Sequence, residues 1–189
     1  MPHVVVVSSN EKGLATIPSL LWEYELSFDI SKCKSGSEAR RFILDNELDL
    51  VIINAPLSDE SGEELAVMVT EQSMAGSILL VKGEYFDTTQ QLFGEQGVLI
   101  VSKPIIKQVL FQAIALARSM HRRLSAMQNE NTSLQKKIDE IKLIDRAKLL
   151  LMQTLGMNEQ QAHRHIEQEA MNLRKSRHDV ACSIIHTYG

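Results

Sequence analysis

The chain has 189 residues, of which 44% are hydrophobic and 23% charged, which excludes a disordered protein and allows one large or two small packed domains. Its apolar runs, such as residues 4–7 and 149–152, are too short to span a bilayer, and no basic segment leads into an apolar signal core, so a cytoplasmic protein without membrane association is expected. The net charge of −4 divides unevenly: residues 1–106 hold 7 Lys/Arg and 16 Asp/Glu, or −9, and residues 107–189 hold 13 and 8, or +5.

A polyanion would therefore meet the C-terminal part. Cys33 and Cys182 lie far apart without paired spacing, which fits reduced thiols better than a disulfide frame or a metal site.

In chain order, the β-branched run at residues 3–7 predicts a strand buried on both faces. A helix over 13–24 and a strand over 26–31 follow, then a helix over 37–45 with Ser37 as its N-cap. Residues 49–54 predict another buried strand, 62–72 a helix, 77–81 a strand, 88–93 a short helix and 98–101 a fifth strand. Five strands separated by helices imply a doubly wound parallel sheet, with any site at the C-terminal ends of the strands.

The segment Asp-Leu-Val-Ile-Ile-Asn-Ala-Pro-Leu at 49–57, Gly62 after it, and Ser102-Lys103-Pro104 resemble a response-regulator receiver domain, an α/β flavodoxin-like fold. In active receivers an acidic pair ends the first strand, a phospho-acceptor Asp the third, and a Thr or Ser the fourth, with a Lys before a cis-Pro after the fifth. Here Ser8 and Ser9 stand in place of the acidic pair, Asn54 in place of the acceptor and Lys82 in place of the hydroxyl; only Lys103 and Pro104 match. An amide is not a carboxylate nucleophile, and Mg²⁺ needs anionic oxygens that this set lacks. Asp59 is the nearest other acid, without the supporting ligands. Residues 1–106 are therefore expected to form a pseudo-receiver that is not phosphorylated.

No Pro or Gly lies between Pro104 and Gly156, which predicts a helix of about fifty residues. Ile106, Val109, Leu110 and Ala113 form a stripe expected to pack on the sheet. A heptad register then places Ala117, Leu124, Asn131 and Ile138 at a, and Met120, Met127, Leu134 and Ile141 at d. Asn131 at a can pair with its symmetry mate and fix a parallel, two-stranded register. Lys137 at g would face Lys142 at e across that seam, a mild repulsion, so orientation rests on Asn131 and the apolar positions. A parallel homodimer through a coiled coil over 107–142 is favoured over a back-folded hairpin.

Residues 143–189 predict a small three-helix all-α module. The first helix carries Ile144, Ala147, Leu151 and Leu155 and stops at Gly156, a C-cap residue. Asn158, with Gln161 three residues on, caps a second helix that buries Ala162, Ile166, Ala170 and Leu173. Ser176, with Asp179, starts a third carrying Val180, Ala181, Ile184 and Ile185.

The pattern Ala147-Lys148-x-x-Leu151-Met152, Gly156-Met157-Asn158-Glu159-x-x-Ala162, Ala170-Met171-x-x-Arg174 and Val180-Ala181 resembles the ANTAR domain. With a pseudo-receiver and a coil before it, the whole chain is similar to AmiR-type transcription antiterminators. That resemblance implies binding of paired hairpins in nascent leader transcripts, two adjacent hairpins suiting the two modules of a dimer. Lys148, Met152, His163, Arg164, Arg174, Lys175 and Arg177 are the expected RNA contacts, supplying charge and planar groups for phosphates and loop bases.

Lys148 falls on the continuation of the seam, where a buried ammonium would be costly, so the coil is expected to splay and free it. His163 stands where the family often has Tyr or Phe, and Arg177 where it is often apolar. The module itself carries 6 basic and 5 acidic residues, so affinity would lean on dimerisation. His163 with Glu167, and His165 with Glu169, have one-turn spacing but no third ligand, so no metal is expected.

An RNA-binding antiterminator is thus the leading function. A DNA-binding response regulator is disfavoured because no turn-linked recognition helix appears. A protein-interaction adaptor is the other class. No nucleophile–base set or phosphate loop appears, so neither an enzyme nor a cofactor is expected. With phosphorylation unavailable, control is expected from a protein partner docking on the pseudo-receiver or coil.

Overall fold

A five-stranded parallel sheet, in the order β2-β1-β3-β4-β5, organises the first part of the chain. In sequence it runs β1 (His3–Val7), α1 (Glu11–Glu23), β2 (Asp29–Cys33), α2 (Gly36–Asp45), β3 (Leu50–Asn54), α3 (Glu63–Gln72), β4 (Gly76–Lys82), α4 (Phe86–Phe93) and β5 (Val98–Lys103). The long helix α5 (Lys107–Leu155) follows, then α6 (Glu159–Leu173) and α7 (Arg177–Tyr188). The computed structural model describes residues 1–24 and 28–189. They divide into two compact units, Met1–Ala126 and Met127–Gly189, with α5 contributing to both.

The receiver-type α/β arrangement follows from the strands being apolar on both faces. Because side chains alternate along a strand, Val5, Val7, Val51 and Ile53 pack beneath α2 and α3, while Val4, Val6, Leu50 and Ile52 pack beneath α1 and α5. Helix starts differ from expectation where a better cap exists one turn earlier. Asn10 caps α1 by accepting from the Gly13 N–H at 2.6 Å, which places Gly13 inside the helix. Ser35, not Ser37, caps α2, accepting from the Glu38 N–H at 3.2 Å. The second strand ends at Cys33, two residues later than predicted, and the predicted start at Leu26 and Ser27 lies outside the described residues.

The stripe of α5 that packs on the sheet is Leu110, Ile114 and Ala117; Ile106 and Val109 are exposed and Ala113 only partly buried. Ala117 therefore belongs to the α/β core and not to a dimer seam. It lies so close to Gly76 that a Cβ added there would sit 2.6 Å from the Ala117 Cβ. One turn on, His121 Nδ1 lies 2.8 Å from the Met74 carbonyl and Nε2 3.2 Å from Asp49, whose other oxygen accepts from the His3 N–H at 2.7 Å. Past this point α5 presents Leu124, Met127, Leu134, Ile138 and Ile141, each between 46% and 64% exposed. Asn131 in their midst is exposed as well.

In the second unit, Ala147, Leu151, Ala162, Ile166, Ala170, Val180, Ala181 and Ile184 form a closed core. Four of these are alanines, small enough to let the helix backbones approach closely. Both expected capping boxes are present, Asn158 with Gln161 and Ser176 with Asp179. Gly156, at φ +68°, ends α5 in the left-handed conformation that glycine tolerates. Leu173, predicted as core, is exposed, because the buried stripe of α6 ends at Ala170, one turn before the helix stops. Among the described residues no helix is long and apolar enough to cross a membrane.

Candidate nucleic-acid interface

At the C-terminal ends of the strands, where a receiver performs its chemistry, the polar groups satisfy one another. Ser8 is fully buried; its Oγ accepts from Asn54 Nδ2 at 2.9 Å and donates to the Asn10 carbonyl at 3.2 Å. The first turn of α1 closes over this pair, because a Cβ on Gly13 would meet Ser8 Oγ at 2.3 Å and Asn54 Nδ2 at 2.6 Å. Lys103 Nζ donates to the Ala55 carbonyl, and its ammonium is pushed below the usual lysine range by burial, with Lys82 adding repulsion. The Ala55–Pro56 and Lys103–Pro104 peptides are cis.

Of the five residues expected here, Ser8, Asn54 and Lys103 line the strand ends. Ser9 faces solvent, and Lys82 is exposed beside Glu84 at 3.7 Å. Asp59 serves the start of α2 instead: its carboxylate accepts from the Ser37 and Gly36 N–H groups at 2.9 and 2.8 Å and from Ser37 Oγ at 2.8 Å. These donors hold its carboxyl down at about 2.

The second unit carries a groove between α5, α6 and α7, lined by Ile141 and Ile144 and by the basic side chains Lys137, Lys148, His163 and Arg177, with Glu140 and Asp145 beside them. Lys148 is not freed. Its side chain is only 16% exposed, with Nζ 2.7 Å from Asp145 and 3.4 Å from Glu159. The hydrogen bond to Asp145 is the main cause of its raised pKa, so the clamp holds it firmly as an ammonium. The cost of partly burying this lysine is offset by two carboxylates within one side chain's reach. His163 Nε2 lies 3.3 Å from Glu167 Oε1, and Arg177 Nη1 lies 3.8 Å from the same oxygen.

The remaining expected contacts divide into two kinds. Arg164, Arg174 and Lys175 are exposed, and among the described residues no carboxylate pairs with them within 4.0 Å. Met152 is half-buried against the three-helix core, where it fills space. Arg174 closes α6 in the left-handed conformation at φ +53°, with its N–H donating to the Ala170 and Met171 carbonyls and the Lys175 N–H donating to Ala170 at 3.0 Å.

Sequence reasoning missed the acids Asp145, Glu159 and Glu167 as members of the site. The signal for two of them was local, Asp145–Lys148 at three residues and His163–Glu167 at four. Glu159 reaches Lys148 only through the turn at Gly156. Among the described residues no group of three His, Cys, Asp or Glu side chains could hold a metal.

The ANTAR domain family model matches residues 132–185, which begin within α5 and take in α6 and most of α7. The transcriptional regulatory protein PdtaR of Mycobacterium tuberculosis is 27% identical over 192 aligned positions that span 100% of this chain and 92% of the relative. The signal receiver domain of an HD domain-containing protein from Pseudomonas fluorescens superposes with a TM-score of 0.57 at 24% identity, over 66% of this chain and 92% of that one. A response regulator receiver domain protein from Clostridium thermocellum gives 0.58 at 21% identity, over 66% and 99%. The strand order, the helix pairs on each face and these likenesses agree on a receiver-type α/β fold, which is followed by a segment, residues 132–185, that matches the ANTAR domain model.

Proposed function

We propose that the protein is a cytoplasmic, RNA-binding transcription antitermination regulator that acts on hairpins in nascent leader transcripts as a homodimer joined along α5. The observation that carries this is the ANTAR match over a module whose cations are grouped on one groove and one helix end: Lys148, His163 and Arg177 in the groove, Arg174 and Lys175 at the close of α6. Cationic and planar side chains around an apolar floor suit unstacked loop bases flanked by phosphates.

The row Leu124, Met127, Leu134, Ile138 and Ile141, with Asn131 at an a position, suits a two-stranded seam over the part of α5 beyond the sheet, 124–141. Control by a protein partner follows from the acceptor site: Asn54 cannot take a phosphoryl group, and its amide is committed to Ser8. Covalent phosphate on the receiver-type domain after acetyl phosphate treatment, seen by mass spectrometry, contradicts this mode of control.

The test is a gel shift of the full-length protein against tandem-hairpin RNAs with randomised loops and against duplex DNA of equal charge. RNA is expected to be retained and DNA not. Lys148→Ala and Arg174→Ala should each weaken RNA binding about fivefold or more while leaving far-UV circular dichroism unchanged. Equal retention of duplex DNA, or full RNA affinity in both variants, refutes the assignment.

A further inference from the structure

The cations of the ANTAR module fall into a held set and an unheld set. Lys148 is clamped by Asp145 and Glu159, and His163 and Arg177 converge on one oxygen of Glu167. Arg164, Arg174 and Lys175 have no such partner among the described residues. The held set lines the groove together with Lys137, which among the described residues has no carboxylate within 4.0 Å; Arg164, Arg174 and Lys175 do not line it. A carboxylate oxygen that collects a guanidinium from one helix and an imidazole from another, both of them groove-lining, has the contacts that a phosphate oxygen of a bound strand would take.

We propose that Glu167 stands in for an RNA phosphate on His163 and Arg177, two residues that line the groove, so that this carboxylate is a built-in competitor which RNA must displace from them. The inference rests on the RNA-binding reading above and deepens it: the groove discriminates by competition, while Arg164, Arg174 and Lys175 attract any polyanion. A single-stranded loop that presents a phosphate at this point and a base over Ile144, which lies outside the seam, displaces Glu167. A polyanion that only touches the surface does not. Both Glu167 pairs are about half exposed, so the competition is modest and readily reversed.

The test compares full-length wild type, Glu167→Gln and Glu169→Gln by fluorescence anisotropy with a labelled tandem-hairpin RNA pool of randomised loops. Gln keeps an acceptor for Arg177 and is as good a helix former as Glu, so the α6–α7 contact survives. Glu169 lies on the same helix and removes the same charge, but it holds neither His163 nor Arg177. Glu167→Gln is expected to tighten RNA binding about two- to fivefold, the range of an exposed ion pair, with Glu169→Gln close to wild type. The gain should shrink in an Arg177→Gln background.

Equal gains in both single variants reduce the effect to net charge and overturn the proposal, as does no gain for Glu167→Gln in a protein that binds RNA. If no arm binds RNA, the RNA reading itself fails and the competitor with it.

Discussion

Arg174 holds the left-handed conformation at φ +53°, a position where glycine is the usual residue at the end of a helix. The strain is of the order of 1 kcal/mol, and nothing in the fold requires an arginine side chain there, since Arg174 is exposed and its capping bonds are made by the backbone. Arg174→Gly should therefore stabilise the module by up to about 1 kcal/mol in urea unfolding while weakening RNA binding. A variant that is less stable, or that keeps full RNA affinity, contradicts this.

Asp59 is a second residue whose contacts set a measurable behaviour. Its carboxyl is held at about 2, below the ordinary value of 3.8, so the ionised form stabilises the fold. That contribution is fully present above the ordinary carboxylate range and is lost as pH falls through about 2. The stability deficit of Asp59→Asn relative to wild type should thus be constant between about pH 5 and 7 and shrink below about pH 4; a deficit that grows on acidification contradicts the assignment. Gly13→Ala sets helix propensity against space. Contact at 2.3 Å with Ser8 Oγ outweighs the gain of under 1 kcal/mol from the alanine, and a net loss of about 1–3 kcal/mol is expected.

Among the elements, α5 performs two packing tasks with one residue pattern. Leu110, Ile114 and Ala117 lie against the sheet, the apolar row from Leu124 to Ile141 is exposed among the described residues, and Ala147 and Leu151 then enter the second core. A four-three spacing serves sheet packing and a coiled-coil seam equally, which is why the sequence placed Ala117 in the seam and gave the sheet-facing stripe the wrong phase. Only Gly76, 41 residues earlier in the chain numbering and in contact with Ala117, decides it. The strands, both capping boxes and the helix stop at Gly156 were legible because each is dictated within a few residues.

The acid clamp on Lys148 was not legible as a whole, because Glu159 reaches it from across a turn. Gly76→Ala should cost about 1–3 kcal/mol in thermal or urea unfolding, since the Ala117 backbone cannot yield as a side-chain tip would. In the seam, Asn131→Ile should raise the melting temperature of the dimer and loosen its two-stranded state, read by sedimentation equilibrium as trimers or larger species. A dimer unchanged in both respects contradicts a buried Asn131.

Across the whole molecule, a receiver-type domain with an amide at the acceptor position precedes a segment matching the ANTAR domain, in which carboxylates hold Lys148, His163 and Arg177. In the proposed function the first is not phosphorylated, and the second binds a ligand that displaces Glu167. Dimerisation along α5 would present two such modules to one transcript, so two weak sites become one strong one through effective concentration. The most direct test is the affinity of the full-length protein for a one-hairpin RNA, a two-hairpin RNA and duplex DNA of matched charge. The account predicts one dimer per two-hairpin RNA, bound at least about tenfold tighter than the single hairpin, with duplex DNA weakest. Equal affinity for all three, or a preference for duplex DNA, would contradict it.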